Sequence, residues 1–117
     1  MSTSDSLSNL RIEQKENLLI LRIKGRLDAV TSPLAEKKVF EAINNGQYNL
    51  LLDMAEVIYL SSAGMRMLLS ITKRLRTMSG KLAICSVTTN VVDVLKMSGF
   101  DHTLNLFKTE EEALKFF

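Results

Sequence analysis

The fold is decided by one stretch, residues 49–78, which reads NLLLDMAEVIYLSSAGMRMLLSITKRLRTM. It begins with three leucines, residues 50–52, an apolar run typical of a strand covered on both faces. A short apolar link then leads to two adjacent serines, Ser61 and Ser62, and from Ala63 apolar residues recur at helical spacing. A strand that delivers a serine to the start of a helix places its hydroxyl near the surface, at the positive helix end.

On both sides of this stretch the chain alternates between strand and helix patterns. Strands are predicted over residues 11–16, 18–24, 48–53, 82–87 and 104–107, and helices over 34–45, 63–78, 91–97 and from 110 to the end. The order β-β-α-β-α-β-α-β-α implies a mixed sheet: the first two strands pair antiparallel, and later strands pair parallel through right-handed crossovers. The predicted fold class is therefore α/β, with about four to five strands and about four helices.

The start of the first helix carries its own sequence signal. Thr31 or Ser32, followed by Pro33, predicts a hydroxyl cap and then the proline that first helical positions favour. Glu36 is the candidate partner in a capping box.

Composition and charge limit the class of protein. The 117 residues, 46% hydrophobic, suit a single domain over 1–117, with residues 1–9 as a frayed polar end. A net charge of +2 does not favour nucleic acid as a partner, and no apolar run approaches the ~18–20 residues of a membrane span. The single cysteine, Cys85, and the absence of a signal-peptide pattern lead us to expect a cytoplasmic protein.

The motifs of several enzyme classes are missing. His102 and Cys85 stand far apart without metal-ligand spacing, and no Gly-x-Ser-x-Gly elbow surrounds Ser61 or Ser62. Neither a Walker sequence nor a dinucleotide-binding glycine motif occurs. We therefore predict no catalytic residue, no cofactor, no metal and no enzymatic activity. A serine without catalytic neighbours is better interpreted as a substrate.

The predicted second helix has two further features. Its apolar arc is wider than one core face needs, so Met67 in particular is expected at the surface, as part of an adaptable protein-binding patch with Met65. Burial of the whole arc is an equally good interpretation. A basic set suits either an acidic partner or an ordinary solvated face: Arg66, Lys73, Arg74, Arg76 and Lys81.

Several segments together resemble a known family, the STAS domains, and specifically the free-standing anti-sigma factor antagonists of bacteria. The similarity runs from about residue 10 to the end. The segments, in order, are Gly25-Arg26-Leu27-Asp28, Leu50-Leu51-Leu52-Asp53, Tyr59-Leu60-Ser61-Ser62-Ala63-Gly64-Met65, Lys96-Met97-Ser98-Gly99-Phe100 and Glu111-Glu112-Ala113-Leu114.

The resemblance implies a partner-switching mechanism. The unphosphorylated antagonist binds an anti-sigma factor that is also a serine kinase of the GHKL type, and a sigma factor is released. The kinase phosphorylates the serine two positions before the motif glycine, here Ser62 before Gly64, and binding is lost. A PP2C-type phosphatase restores the binding form.

The resemblance also assigns roles around the switch serine. Asp28 follows a strand and precedes a helix start, so it is expected at the same edge of the sheet as Ser62. The resemblance implies that it lies near the switch serine and supports phosphorylation or binding; the alternative is a residue that satisfies a turn N–H. Ser61 stands where the family commonly has Asp, which makes it the second choice as phosphoacceptor. Arg66 stands where small residues are common and is expected to tune partner choice. The predicted partner-binding set is Asp28, Ser61, Ser62, Gly64, Met65 and Met67.

Two rival functions remain at this point. The first is a STAS domain that acts without phosphorylation, as a binding subunit of a lipid-transport or stressosome-like assembly. The second is a small-molecule or nucleotide-binding domain with a shallow cleft near Asp28 and Ser62, although no phosphate-cradling glycine run supports it.

Overall fold

A computed structural model describes residues 10–117, so the frayed end expected over residues 1–9 lies outside the described residues. The strands are β1 (Leu10–Lys15), β2 (Leu18–Leu27), β3 (Asn49–Leu60), β4 (Lys81–Cys85) and β5 (Leu106–Phe107). The helices are α1 (Thr31–Asn44), α2 (Ser62–Thr77), α3 (Thr89–Met97) and α4 (Glu110–Leu114), with a 3₁₀ turn at Phe100–His102. The predicted order of elements is confirmed.

The five strands form one sheet in the order β1-β2-β3-β4-β5. β1 pairs antiparallel with β2 across a tight turn, whereas the β2–β3, β3–β4 and β4–β5 pairs are parallel. Each parallel pair is joined by a helical crossover, as the alternating sequence pattern predicts. The mixed α/β sheet is therefore confirmed.

The sheet is covered on both faces, as the leucine run of β3 predicts. The larger core joins one face to α1, α2 and α3, with Leu50 and Leu52 of β3 at its centre. The smaller core lies on the opposite face, where Leu51 packs with Cys85 and with Ala113 of α4. Aromatic side chains after β4 close this second core: Phe107, Phe116 and Phe117.

The predicted bounds of two strands are too short. β3 runs on to Leu60, so the link expected over residues 57–60 is strand, and β2 runs on to Leu27. Register shifts between Arg22 and Lys24 and between Gly25 and Arg26 break the strict alternation by which a strand is recognised in sequence. The extension places Leu27 opposite Leu60 in the parallel register, which brings the ends of both strands to one edge.

An arginine joins four elements on the face that carries α4. Arg22 of β2 donates to Glu13 of β1, Asp53 of β3 and Glu110 of α4, with the closest N–O distance 2.7 Å in each pair. These hydrogen bonds, the one to Glu110 first, raise the pKa of Arg22 far above its usual value. Because one cation serves three carboxylates, this network fixes α4 against the sheet.

We expect Glu13 to make the stability of the protein sensitive to acid. The hydrogen bond from Arg22 lowers the pKa of Glu13 below its ordinary value of 4.5. Its contribution is therefore full above the unfolded pKa and is lost as the pH falls through the lower folded pKa. Urea unfolding at pH 7 should give a higher free energy of unfolding for wild type than for Glu13→Gln. This difference should vanish at pH values below the folded pKa of Glu13. Glu111→Gln is the control, because Glu111 is exposed and makes no ion pair within residues 10–117; an equal effect there would contradict this assignment.

Candidate functional site

The candidate site lies where β2 and β3 end. The backbone N–H of Ser61 donates to the carbonyl oxygen of Leu27 at 2.9 Å, which ties the residue after β3 to the last residue of β2. Asp28 follows Leu27 directly, and Ser62 follows Ser61. The prediction that Asp28 and Ser62 share one edge of the sheet is therefore confirmed.

Ser61 is the N-cap of α2. Its backbone is extended (φ −87°, ψ 175°), and its side-chain oxygen accepts a hydrogen bond from the N–H of Gly64 at 3.3 Å. Its carbonyl oxygen accepts the first helical bond, from the N–H of Met65 at 3.0 Å. The hydroxyl of Ser61 is thus half-buried and already used to cap the helix.

Ser62 has the opposite surroundings. It is the first residue of α2, it is exposed, and its hydroxyl makes no hydrogen bond to any residue in the 10–117 range. The N–H groups of a first helical turn lack partners within the helix, so this position favours negative charge. The geometry therefore offers an accessible hydroxyl where an added phosphate suits the fold.

Gly64 lets the first turn of α2 lie directly on the ends of the two strands. A Cβ atom at this position would stand 2.9 Å from the carbonyl oxygen of Leu27 and 2.5 Å from Cδ1 of Leu60. Contacts this short do not occur in real structures without movement of the backbone or the leucine. Gly64 is buried, and the absence of a side chain seats the helix on these strand ends.

We expect Gly64→Ala to destabilise the protein by ~1 kcal/mol, because an overpacking cost of ~1–3 kcal/mol is only partly offset by a gain of up to ~1 kcal/mol in helix propensity. Urea unfolding measures the change. The double variant Leu60→Ala/Gly64→Ala is the control, since trimming Leu60 removes one of the two closest contacts. The combined loss should be smaller than the sum of the single losses, and strict additivity would contradict the steric cause.

Asp28 closes the turn before α1. Its Oδ1 accepts hydrogen bonds from the N–H groups of Val30 and Thr31, both at 3.0 Å. These bonds, that of Thr31 first, lower the pKa of Asp28 below its ordinary value. Its side chain remains one third exposed, so a structural role in the turn leaves the carboxylate accessible to a partner.

The capping residues predicted for α1 are wrong. Val30 occupies the N-cap position without a side-chain bond, because Asp28 reaches the turn from two residues earlier. Thr31 instead donates its hydroxyl to the carbonyl oxygen of Arg26, and Ser32 lies buried inside the helix without a hydrogen-bond partner for its hydroxyl. Glu36 accepts from Ser70 of α2 rather than from the cap.

An arginine that the sequence analysis missed stands beside Asp28. The guanidinium of Arg26 lies 4.2 Å from the centre of the Tyr59 ring, and its Nε lies 3.7 Å from Oδ2 of Asp28. Arg26 and Tyr59 are neighbours in the β2–β3 register. This pairing depends on the strand extensions, so only a correct prediction of both strand ends would have shown it.

The two methionines of the predicted patch have different positions. Met67 is 1% exposed and belongs to the large core, so the expectation that it lies at the surface is wrong. Met65 is half-buried, and its sulfur accepts a contact from the hydroxyl of Ser98 at 3.5 Å. Met97, next to Ser98 at the end of α3, is 87% exposed and adds apolar surface on this side.

A cavity among the described residues lies away from this site. It has a volume of about 470 Å³ and opens between the β1–β2 turn, Asn49 and Phe117, at the opposite end of the parallel strands from Ser62. No group of three potential metal ligands occurs within residues 10–117. None of the helices described in that range is both long enough and apolar enough to cross a bilayer.

These features define a small α/β domain that presents an exposed serine at the start of a helix. The sequence profile of the STAS domain matches residues 9–113. The chain is 30% identical over 109 residues to the anti-sigma F factor antagonist of Paenibacillus polymyxa, covering 91% of this chain and 93% of that protein. The chain therefore belongs to the STAS domain family, together with proteins named anti-sigma factor antagonists.

Solved structures share the fold. A crystallised Thermotoga maritima protein superposes with a TM-score of 0.87 at 22% identity, over 91% of this chain and 92% of the other. The anti-sigma factor antagonist SpoIIAA in its unphosphorylated form gives a TM-score of 0.73 at 19% identity, over 91% and 94%. SpoIIAA of Bacillus has also been solved in its phosphorylated form, with a TM-score of 0.71 at 20% identity, over 91% and 96%.

Proposed function

We propose that this protein is an anti-sigma factor antagonist controlled by phosphorylation of Ser62. The unphosphorylated form binds an anti-sigma factor that is also a GHKL-type serine kinase, and a sigma factor is thereby released in the cytoplasm. Transfer of a phosphate to Ser62 ends binding, and a PP2C-type phosphatase restores it. The observation that carries the proposal is the exposed Ser62 hydroxyl at the start of α2, beside Asp28, in a chain related to proteins of that name.

Ser62 is a better phosphoacceptor than Ser61 for a geometric reason. A kinase must reach the hydroxyl oxygen, and the oxygen of Ser61 is held inside the first turn by the N–H of Gly64. Ser62 can be modified without the loss of any hydrogen bond seen within residues 10–117.

The phosphate acts on the partner rather than on the fold. It adds roughly −1.5 to −2 charges at neutral pH, next to the unpaired N–H groups of the first turn of α2. A partner that covers a neutral serine has to desolvate this charge on binding. A penalty of ~3 kcal/mol lowers affinity about a hundredfold, so the switch requires no large conformational change.

The surface offered to the partner includes both polar and apolar groups. Asp28 supplies a carboxylate at the same edge of the sheet as the switch, and Arg26 on the Tyr59 ring supplies a preorganised guanidinium. Met65 in the first turn of α2 and Val30, 72% exposed at the start of α1, supply apolar surface at these helix starts. Gly64 and Met67 support this surface from below, because both are buried.

The experiment that tests the function begins with affinity capture from extract of the source cells, with Ser62→Ala as bait. The captured kinase is then incubated with ATP and the wild-type chain, and intact-mass analysis should show one added phosphate. Ser62→Ala should receive none, whereas Ser61→Ala, although less stable, should still receive one. A captured assembly without kinase activity, and an unmodified wild-type chain, would instead establish a constitutive binding subunit and refute the proposal.

A further inference from the structure

The basic set on and after α2 separates into two groups. Arg74 donates to Asn44 of α1 at 2.9 Å, and Lys81 donates to the carbonyl oxygen of Phe116 at 3.2 Å, so both have partners within the chain. The other three are exposed and form no ion pair with any residue from 10 to 117: Arg66, Lys73 and Arg76.

Arg66 stands one helical turn after Ser62. At 3.6 residues per turn the two positions differ by about 40° around the helix axis and by ~6 Å along it. Side chains four residues apart on a helix are neighbours, with Cβ atoms ~5–6 Å apart. Long side chains on a helix lean towards its N-terminus, so this spacing favours an Arg66 side chain that extends towards Ser62.

We propose that Arg66 is the residue that receives the phosphate when Ser62 is phosphorylated. This inference rests on the proposed modification of Ser62. A guanidinium presents N–H donors in a planar fork that matches two phosphate oxygens, and charge-assisted bonds of this kind are about twice as strong as neutral ones. The proposed contact is intramolecular, so it is available as soon as the phosphate is attached.

Two other basic residues lie on elements next to the switch, but neither belongs to the helix that carries Ser62. Arg26 is stacked on Tyr59 and lies beside Asp28, whose carboxylate repels a phosphate on Ser62. Lys96 is exposed near the end of α3, two residues before the Ser98 that contacts Met65. Arg66 is the one basic residue on the helix of Ser62 within a single turn of it.

Phosphorylation then changes the surface in two ways at once. It adds negative charge at Ser62, and it occupies the guanidinium of Arg66, which is open to an acidic partner in the unphosphorylated form. Lys73 lies on the same face but eleven residues from Ser62, which is ~16 Å along the helix. Physiological salt screens exposed charges beyond ~8 Å, so Lys73 keeps its charge available.

The test uses the full chain with phosphoserine incorporated genetically at position 62, so no kinase is needed. The second ionisation of phosphoserine has a pKa of about 6, and ³¹P NMR follows it directly. Arg66→Gln should raise this pKa by ~0.3, the size expected for a charged pair one turn apart, whereas Arg66→Lys should keep most of the effect. The matched control Lys73→Gln removes the same charge further along the same face and should change the pKa by less than ~0.1.

A second measurement excludes an indirect effect. The side-chain Nε–Hε signal of Arg66 should shift between the unphosphorylated and phosphorylated chains, and ~1 M salt should reduce that shift. An equal phosphate pKa in Arg66→Gln and Lys73→Gln, or an unmoved Arg66 signal, would overturn the inference. Neither result depends on a kinase, so a failure here is separate from a failure of phosphorylation in the proposed function.

Discussion

Replacing Ser62 with Asp is expected to weaken binding of the anti-sigma factor about thirtyfold, or ~2 kcal/mol. The carboxylate carries one charge where phosphoserine carries roughly −1.5 to −2, so its effect is smaller than that of the phosphate. The expected cause is the desolvation of a charge that the partner surface does not neutralise. Isothermal titration calorimetry with the captured anti-sigma factor measures the change directly.

Ser62→Asn is the matched control, because asparagine has nearly the same shape as aspartate and no charge. If charge is the cause, the affinity of Ser62→Asn should lie within a few-fold of that of Ser62→Ala, whereas the affinity of Ser62→Asp should not. A similar loss for Asn and Asp would assign the effect to size instead. If Ser62→Asp bound the anti-sigma factor as tightly as wild type, the electrostatic switch itself would be refuted.

The same substitution should have the opposite effect on folding. A carboxylate in the first turn of a helix is stabilising by ~0.3–1 kcal/mol, and α2 has no acidic residue in its first turn. Ser62→Asp should therefore unfold at an equal or slightly higher urea concentration than wild type. A protein that is more stable and yet binds less tightly excludes misfolding as the reason for lost binding.

Much of this architecture could be predicted, because its signals are local. The leucines at the start of β3 indicated a strand buried on both faces, and the helical spacing after Ala63 placed α2 within one residue of its observed start. The position of Ser62 at that start followed from these two patterns. Its exposure, and the use of the hydroxyl of half-buried Ser61 as the cap, depend on the geometry of the first turn.

Two differences from the prediction have their causes outside the element concerned. The predicted β3 ends too early because polar Asp53 and Glu56 interrupt the apolar pattern, whereas in the structure pairing with the far end of β2 continues the strand. The cap of α1 was misassigned because Asp28 reaches the turn from outside the usual cap positions. Local sequence signals cannot show which register two strands adopt, and here the register positions Arg26 over Tyr59.

Met67→Ala is expected to cost ~3 kcal/mol of unfolding free energy, within the ~2–5 kcal/mol typical of a fully buried methionine. Met67 is 1% exposed and points from α2 into the larger core. Its truncation therefore leaves a cavity that the sheet and helices cannot fully close. For a domain of this size the melting temperature should fall by ~10 °C. Urea unfolding and calorimetry measure the two quantities.

Met65→Ala is the control for this prediction, because it removes the same atoms from a half-buried position on the same helix. Its loss of stability should be ~1 kcal/mol or less, whereas its affinity for the anti-sigma factor should fall. Met67→Ala should retain that affinity wherever it remains folded, since its side chain cannot reach a partner. Equal losses of affinity in the two variants, without a difference in unfolding free energy, would contradict the burial of Met67. They would instead indicate that its side chain belongs to the binding surface.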